Sequence, residues 1–120
     1  MPFAPGGVTD TSGRLIAEQL SKRLGQQVIV DNKPGASGNI GTQMVATAEP
    51  DGYTLLLGFD GTMVINPHVF PKVGFDTAKD FAPIGKIGDA MQRNFITAFT
   101  VYHPGAFNAQ LQQRLRQHRA

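Results

Sequence analysis

The stretches Pro2-Phe3-Ala4-Pro5-Gly6-Gly7-Val8-Thr9-Asp10 and Asn32-Lys33-Pro34-Gly35-Ala36-Ser37-Gly38-Asn39-Ile40-Gly41 each run from a glycine-rich turn straight into an amphipathic helical pattern. A helix start carries N–H groups without intrahelical partners and the positive end of the macrodipole. Glycines at such a start let the oxygens of a ligand approach the backbone closely. Two such junctions in one small chain read as anion cradles and point to a bound carboxylate.

Outward from the first turn, Ile16, Leu20 and Leu24 recur at four-residue spacing, with Gly13 and Ala17 beside them. Arg14, Glu18 and Lys22 fall on the other face, the pattern of a surface helix packed on one side. Thr9 or Asp10 is the expected cap, and Gly25 the expected stop. Val28-Ile29-Val30 is a short continuous apolar run, which suits a buried parallel strand. After the second turn, Asn39 is the expected cap of a helix whose apolar stripe is Ile40, Met44 and Ala48. Thr54 to Gly58 reads as another apolar strand, Asp76 to Pro83 as loop, and Ile84 to Gly88 as a short strand. Between them, Phe59-Asp60-Gly61-Thr62 places a third small-residue turn after a strand. Strands separated by helices predict an α/β fold, a parallel sheet flanked by helices, with ligands at the carboxyl ends of strands.

Composition narrows the function classes. The chain has 120 residues, 41% hydrophobic and 17% charged, which fits one globular domain rather than a disordered segment. Its net charge of +2 hides an asymmetry. Residues 1–90 sum to −2, whereas residues 91–120 hold Arg93, Arg114, Arg116 and Arg119 and no acid. This divides the chain into 1–90, the folded lobe, and 91–120, a divergent basic tail in which Leu111 and Leu115 sit at helical spacing. Four arginines without interleaved aromatic platforms argue against a nucleic-acid partner. With no cysteine, disulfides and thiolate metal sites are excluded. His68, His103 and His118 show no paired ligand spacing, so no metal and no cofactor is expected. Ser12, Ser21 and Ser37 are the only serines, none in a Gly-x-Ser-x-Gly elbow, so an enzyme has little support. A dinucleotide-binding enzyme is the rival reading, since Asp31 ends a strand about 20 residues after the first turn. Val8 and Thr11 occupy the places where that fingerprint needs glycine, and Asp10 would repel a pyrophosphate.

The two turns, taken with Pro50-Asp51-Gly52-Tyr53-Thr54, Asn66-Pro67-His68 and Asp80-Phe81-Ala82-Pro83-Ile84, resemble the substrate-binding receptors of tripartite tricarboxylate transporters, the Bug family. The motifs run in order from Pro2 to about Gly88. The resemblance implies the partial first lobe of a type II periplasmic-binding-protein-like fold. It also implies a periplasmic, non-enzymatic receptor that captures a small carboxylate for membrane permease subunits. Contact with the ligand is implied through Ala4, Pro5, Gly6, Gly7, Thr9 and Asp10 in the first turn, and through Gly35, Ala36, Ser37, Gly38 and Asn39 in the second. Gly61 and Thr62 complete the set. Valine at Gly7 or Gly38 is expected to exclude the carboxylate and leave the helices intact.

Measured against the family, the chain starts at the Pro-Phe-Ala-Pro motif, without a signal peptide or first strand, and stops before a second lobe. Expressed as written, it would be cytoplasmic. It reads as a truncated product, either binding weakly on its own or persisting as a fragment without a transport role. An exposed sheet edge would then favour self-association or completion by a partner. A weakly stable fold is expected, because net stabilities of about 5–15 kcal/mol leave little margin for lost apolar burial.

Overall fold

A computed structural model describes residues 1–90 and 94–101, with the strand residues from 89 onward described as backbone only. The helix expected around residues 108–118 lies outside the described residues. Helix α1 spans Val8–Leu24 and ends at Gly25, whose φ of 65° is left-handed and whose N–H donates to the Ser21 carbonyl. A short 3-10 turn, Ala36–Gly38, leads into α2, Asn39–Ala46. Strand β1, Leu55–Phe59, passes into a π-turn, Gly61–Ile65, and a single helical turn α3, Asn66–Val69. Strands β2, Phe81–Ala90, and β3, Asn94–Val101, complete the order.

Helix α1 buries its smallest residues, Gly13 and Ala17, rather than its leucines. A Cβ on Gly13 would lie 3.0 Å from the Leu57 side chain, so the helix rests almost directly on β1. Arg14 pairs with the buried Asp10 at 3.0 Å, and Lys22 with the exposed Glu18 at 2.7 Å. Helix α2 departs from the expected stripe. Ile40 and Met44 are each 49% exposed, and the buried residues are Asn39, Gly41, Thr42 and Val45. The reason is close backbone packing: a Cβ on Gly41 would sit 2.6 Å from the Lys33 carbonyl oxygen and 2.7 Å from Pro2 Cα. Only the small-residue side of α2 fits against that surface, which turns Ile40 and Met44 outward. The apolar core is Val45, Leu56, Met63 and Phe81, with Phe75 edge-on to Phe81 at 6.0 Å between ring centres.

The α/β class stands, but the expected parallel pairing does not describe the three strands. The sheet has the order β1-β3-β2, and both pairs are antiparallel. A parallel pair needs a crossover of a dozen or more residues, whereas only three separate Ala90 from Asn94. Strand β2 begins at Phe81, earlier than expected, and bulges at Pro83/Gly85 and Lys86/Gly88. Pro83 lacks the N–H that an unbroken ladder would use, in keeping with an irregularity there. Among the described residues, parallel pairing survives at one point. The Met1 amino group donates to the Asp31 carbonyl at 2.7 Å and the Lys33 N–H to the Met1 carbonyl at 2.8 Å, which brackets Asn32. The Val28–Val30 run forms no assigned strand, and Ile29 is 75% exposed.

Candidate functional site

The first turn is shaped by a charged side chain. Gly7 is the N-cap of α1, in place of the expected Thr9 or Asp10, and no side chain caps the helix. Asp10 lies one position short of a full turn into the helix and reaches back. Its Oδ2 accepts from the Gly6 N–H at 3.0 Å and from Arg14 Nε at 3.0 Å, and its Oδ1 accepts from Asn32 Nδ2 at 3.0 Å. The same Asn32 amide donates to the Phe3 carbonyl at 3.0 Å, and Arg14 Nη2 donates to Asn32 Oδ1 at 3.2 Å. The Arg14 hydrogen bond is the chief reason that the Asp10 carboxyl titrates at about 2 rather than 3.8, with the Gly6 N–H and Asn32 adding to it. Asp10 is thereby a buried carboxylate fully engaged within the chain.

That engagement sorts the amides of the turn. The Gly6 N–H is consumed by Asp10. Thr11 N–H and hydroxyl both turn inward to the Gly7 carbonyl, at 3.0 and 3.1 Å. The N–H groups of Gly7, Val8 and Thr9, at the open start of α1, meet no acceptor among the described residues. Ala4, Pro5, Gly6, Gly7 and Val8 are exposed. Gly7 has an ordinary backbone conformation, φ −82° and ψ 174°, and a Cβ there would meet nothing within 4 Å. Nothing in the fold requires glycine at this position.

The second turn is shaped by strain. Gly35, Ala36, Ser37 and Gly38 have consecutive φ values of 133°, 47°, 56° and 90°. Left-handed backbone at a residue other than glycine costs about 1–2 kcal/mol, so Ala36 and Ser37 must be held in place. Within the turn, the Gly38 N–H donates to the Gly35 carbonyl at 3.0 Å, and the Asn39 N–H donates to the Ala36 carbonyl. The cap of α2 is Gly38 rather than the expected Asn39. Asn39 is buried, with its Oδ1 accepting from Asn66 Nδ2 at 2.8 Å. The Ser37 carbonyl accepts from Thr62 Oγ1 at 3.1 Å and from Asn66 Nδ2 at 3.0 Å. Ala36 and Ser37 are exposed, and their N–H groups meet no acceptor among the described residues.

The third turn supports the second. The Gly61 N–H is taken by Asp60 Oδ1 at 2.8 Å, and Thr62 is 2% exposed with its hydroxyl committed to Ser37. A Cβ on Gly38 would stand 2.6 Å from Thr62 Oγ1 and 3.4 Å from the Phe3 ring. Phe3 in turn packs edge-on against Phe59 at 5.7 Å between centres. Phe3 therefore joins all three turns at one end of the lobe. The close fit also revises the expectation for Gly38, where valine would collide with Thr62 in a left-handed conformation and disturb the fold.

Gly7, Ala36 and Ser37 are thus exposed and Thr9 half-buried, all four with N–H groups that meet no acceptor among the described residues, whereas the N–H groups of Gly6, Gly38, Asn39 and Gly61 are bonded internally and Asp10 and Thr62 are buried in the framework. Sequence reasoning missed the Val8 amide and the organising side chains Phe3, Asn32 and Asn66. Asn32 and Asn66 flank the turns in sequence, but only the fold shows which carbonyls they meet. Among the described residues, no group of three or more His, Cys, Asp or Glu side chains could hold a metal, and no helix is long and apolar enough to cross a membrane.

Comparison with known proteins gives a consistent picture. The family model described as tripartite tricarboxylate transporter family receptor (TctC) matches residues 13–99. Among solved structures, an R. palustris protein with adipate is 44% identical with a TM-score of 0.68, over 71% of this chain and 28% of that one. MatC from Rhodopseudomonas palustris with bound malate is 43% identical with a TM-score of 0.68, over 72% and 29%. The periplasmic binding protein BugD is 44% identical with a TM-score of 0.67, over 71% and 28%. This chain spans a little over a quarter of the length of these relatives. It belongs to the tripartite tricarboxylate transporter receptor family, whose members are substrate-binding receptors and not enzymes.

Proposed function

We propose that this chain supplies the carboxylate-gripping face of such a receptor, with the N–H groups of Gly7, Val8 and Thr9 and those of Ala36 and Ser37 as donors. The observation that carries the reading is that these amides lack acceptors among the described residues and belong to exposed residues, or in Thr9 a half-buried one, whereas their neighbours at Gly6, Gly38, Asn39 and Gly61 are all bonded internally. Open space beside Gly7 is compatible with the same role, since it leaves the approach to the amides clear. Charge-assisted hydrogen bonds from preformed amides favour an anion, and the helix start adds its dipole. Adipate and malate, seen with two relatives, set the expected ligand class as small dicarboxylates. Ala4, Pro5, Gly35, Gly38, Asn39, Gly61 and Thr62 complete the site as its walls and framework. In the whole receptor the captured acid would pass, in the periplasm, to membrane permease subunits.

Two short rows of amides by themselves support only weak binding, with Kd of about a millimolar. Calorimetric titration of the 120-residue chain with malate and with adipate tests the reading. Weak saturable binding of either acid is expected; no heat at tens of millimolar would refute it.

A second reading has its own observation. Among the described residues, Val28–Val30 is joined to no strand, and Ile29 stands exposed in it. An open extended segment of this kind favours pairing with another chain, including a second copy. Light scattering on the eluting protein would separate the cases, because a clean monomer at high concentration contradicts pairing.

A further inference from the structure

We propose that Thr62 and Asn66 are positioning residues for the second turn, holding the Ala36–Ser37 backbone left-handed so that its two free amides stay presented; the link to ligand rests on the function proposed above. Thr62 and Asn66 stand four residues apart, one on the π-turn and the other opening α3, and so share a face. The Asn66 N–H donates to the Gly61 carbonyl, the wide bond that closes the π-turn. Such insertions recur where a helix must re-aim side chains. Both side chains aim at one atom, the Ser37 carbonyl oxygen, at 3.1 and 3.0 Å. Asn66 also donates to Asn39 Oδ1 at 2.8 Å, tying the start of α2 to the same clamp.

Burial makes the clamp directional. Thr62, Asn66 and Asn39 are all buried, so these donors cannot exchange Ser37 for water without leaving the interior. Gly38 has no side chain, and the Thr62 hydroxyl oxygen stands only 2.6 Å from where its Cβ would be. Thr62 is thereby a residue that acts through Ser37, and the carboxylate meets only the amides ahead of it. All members of the clamp are uncharged side chains or backbone groups, so its strength does not depend on pH.

Amide hydrogen exchange on the full chain, without ligand, tests the clamp. Thr62→Val keeps the shape and removes the donor. It should speed exchange at Gly38 and Asn39 about fivefold to tenfold, with α1 unchanged. Thr62→Ser should restore slow exchange. Ser37→Gly placed on Thr62→Val should recover much of it, because glycine adopts positive φ without strain. Exchange at Gly38 and Asn39 unchanged in Thr62→Val would overturn the clamp. So would equal acceleration throughout α1, or failure of Ser37→Gly to compensate. Should Thr62→Val not fold, Asn66→Ala read against the Asn66→Ala/Ser37→Gly pair carries the same test. Malate affinity is then measured on the same variants. A fall parallel to the exchange supports positioning, and unchanged affinity with a loosened turn overturns it. If the parent chain binds no malate while the exchange pattern appears, the clamp stands and the carboxylate reading alone fails.

Discussion

The first glycine turn is fastened by charge and left unstrained where a ligand would approach; the second is fastened by neutral donors and strained there. Around Gly7, one carboxylate, Asp10, gathers Gly6, Arg14 and Asn32, and the open residue has φ −82°. Around Ser37, buried Thr62 and Asn66 hold one carbonyl while φ stands at 56°. Each device leaves amides without an acceptor among the described residues, and each fails differently. An ionic clamp is sensitive to protonation and tolerates a side chain at the exposed glycine. A neutral clamp ignores pH and tolerates no added atom at its packed glycine.

The comparison breaks most visibly at the two glycines. Gly38→Val should cost about 3 kcal/mol or more, combining strain at φ 90° with overpacking against Thr62, and should lower the urea midpoint markedly. A variant as stable as the parent would show that the second turn is not tightly packed. Gly7→Val should change stability by less than about 1 kcal/mol, because its Cβ enters open space. Its malate affinity should nevertheless drop at least about tenfold, since the branched side chain fills the approach to the Gly7–Thr9 amides. Retained affinity would move the carboxylate away from the first turn.

A smaller effect separates the clamps by acid. The Asp10 carboxyl titrates at about 2 in the folded chain, below its ordinary 3.8, so the folded state favours the ionised form. Its contribution is fully present above the unfolded value and disappears as pH falls from about 4 toward 2. Protection of the Gly6 amide, taken relative to its intrinsic exchange rate, should therefore fall across that window while that of Gly38 does not. Asp10→Asn should remove the selective response at Gly6. Equal responses at both turns would indicate general acid unfolding instead of a local ionic clamp.

Much of this was legible in the sequence, and the limits have physical causes. The turns, the helices beginning at Val8 and Asn39 and the stop at Gly25 follow from local chemistry, where glycine and periodicity speak directly. Caps were misplaced by two or three residues at α1 and one at α2, because Asp10 and Asn39 spend their side chains on partners other than the helix end. The apolar stripe of α2 pointed the wrong way because close packing at Gly41 decided which face is buried, and a periodicity argument counts large side chains. Strand direction depended on which segments meet, a non-local fact: Val28–Val30 has the composition of a central strand, yet among the described residues the ladder bonds near it are those bracketing Asn32. For the site, sequence indicated which loops matter but not which amides remain open, since that depends on where Asp10, Asp60, Thr62 and Asn66 place their hydrogen bonds.

The most direct test is to add malate to the uniformly nitrogen-15-labelled chain and follow backbone amide resonances. Saturable shifts concentrated at Gly7, Val8, Thr9, Ala36 and Ser37, with Gly6 and Gly61 moving far less, are what the two-turn grip predicts. Saturable shifts centred elsewhere, or none at the five open amides, would contradict it.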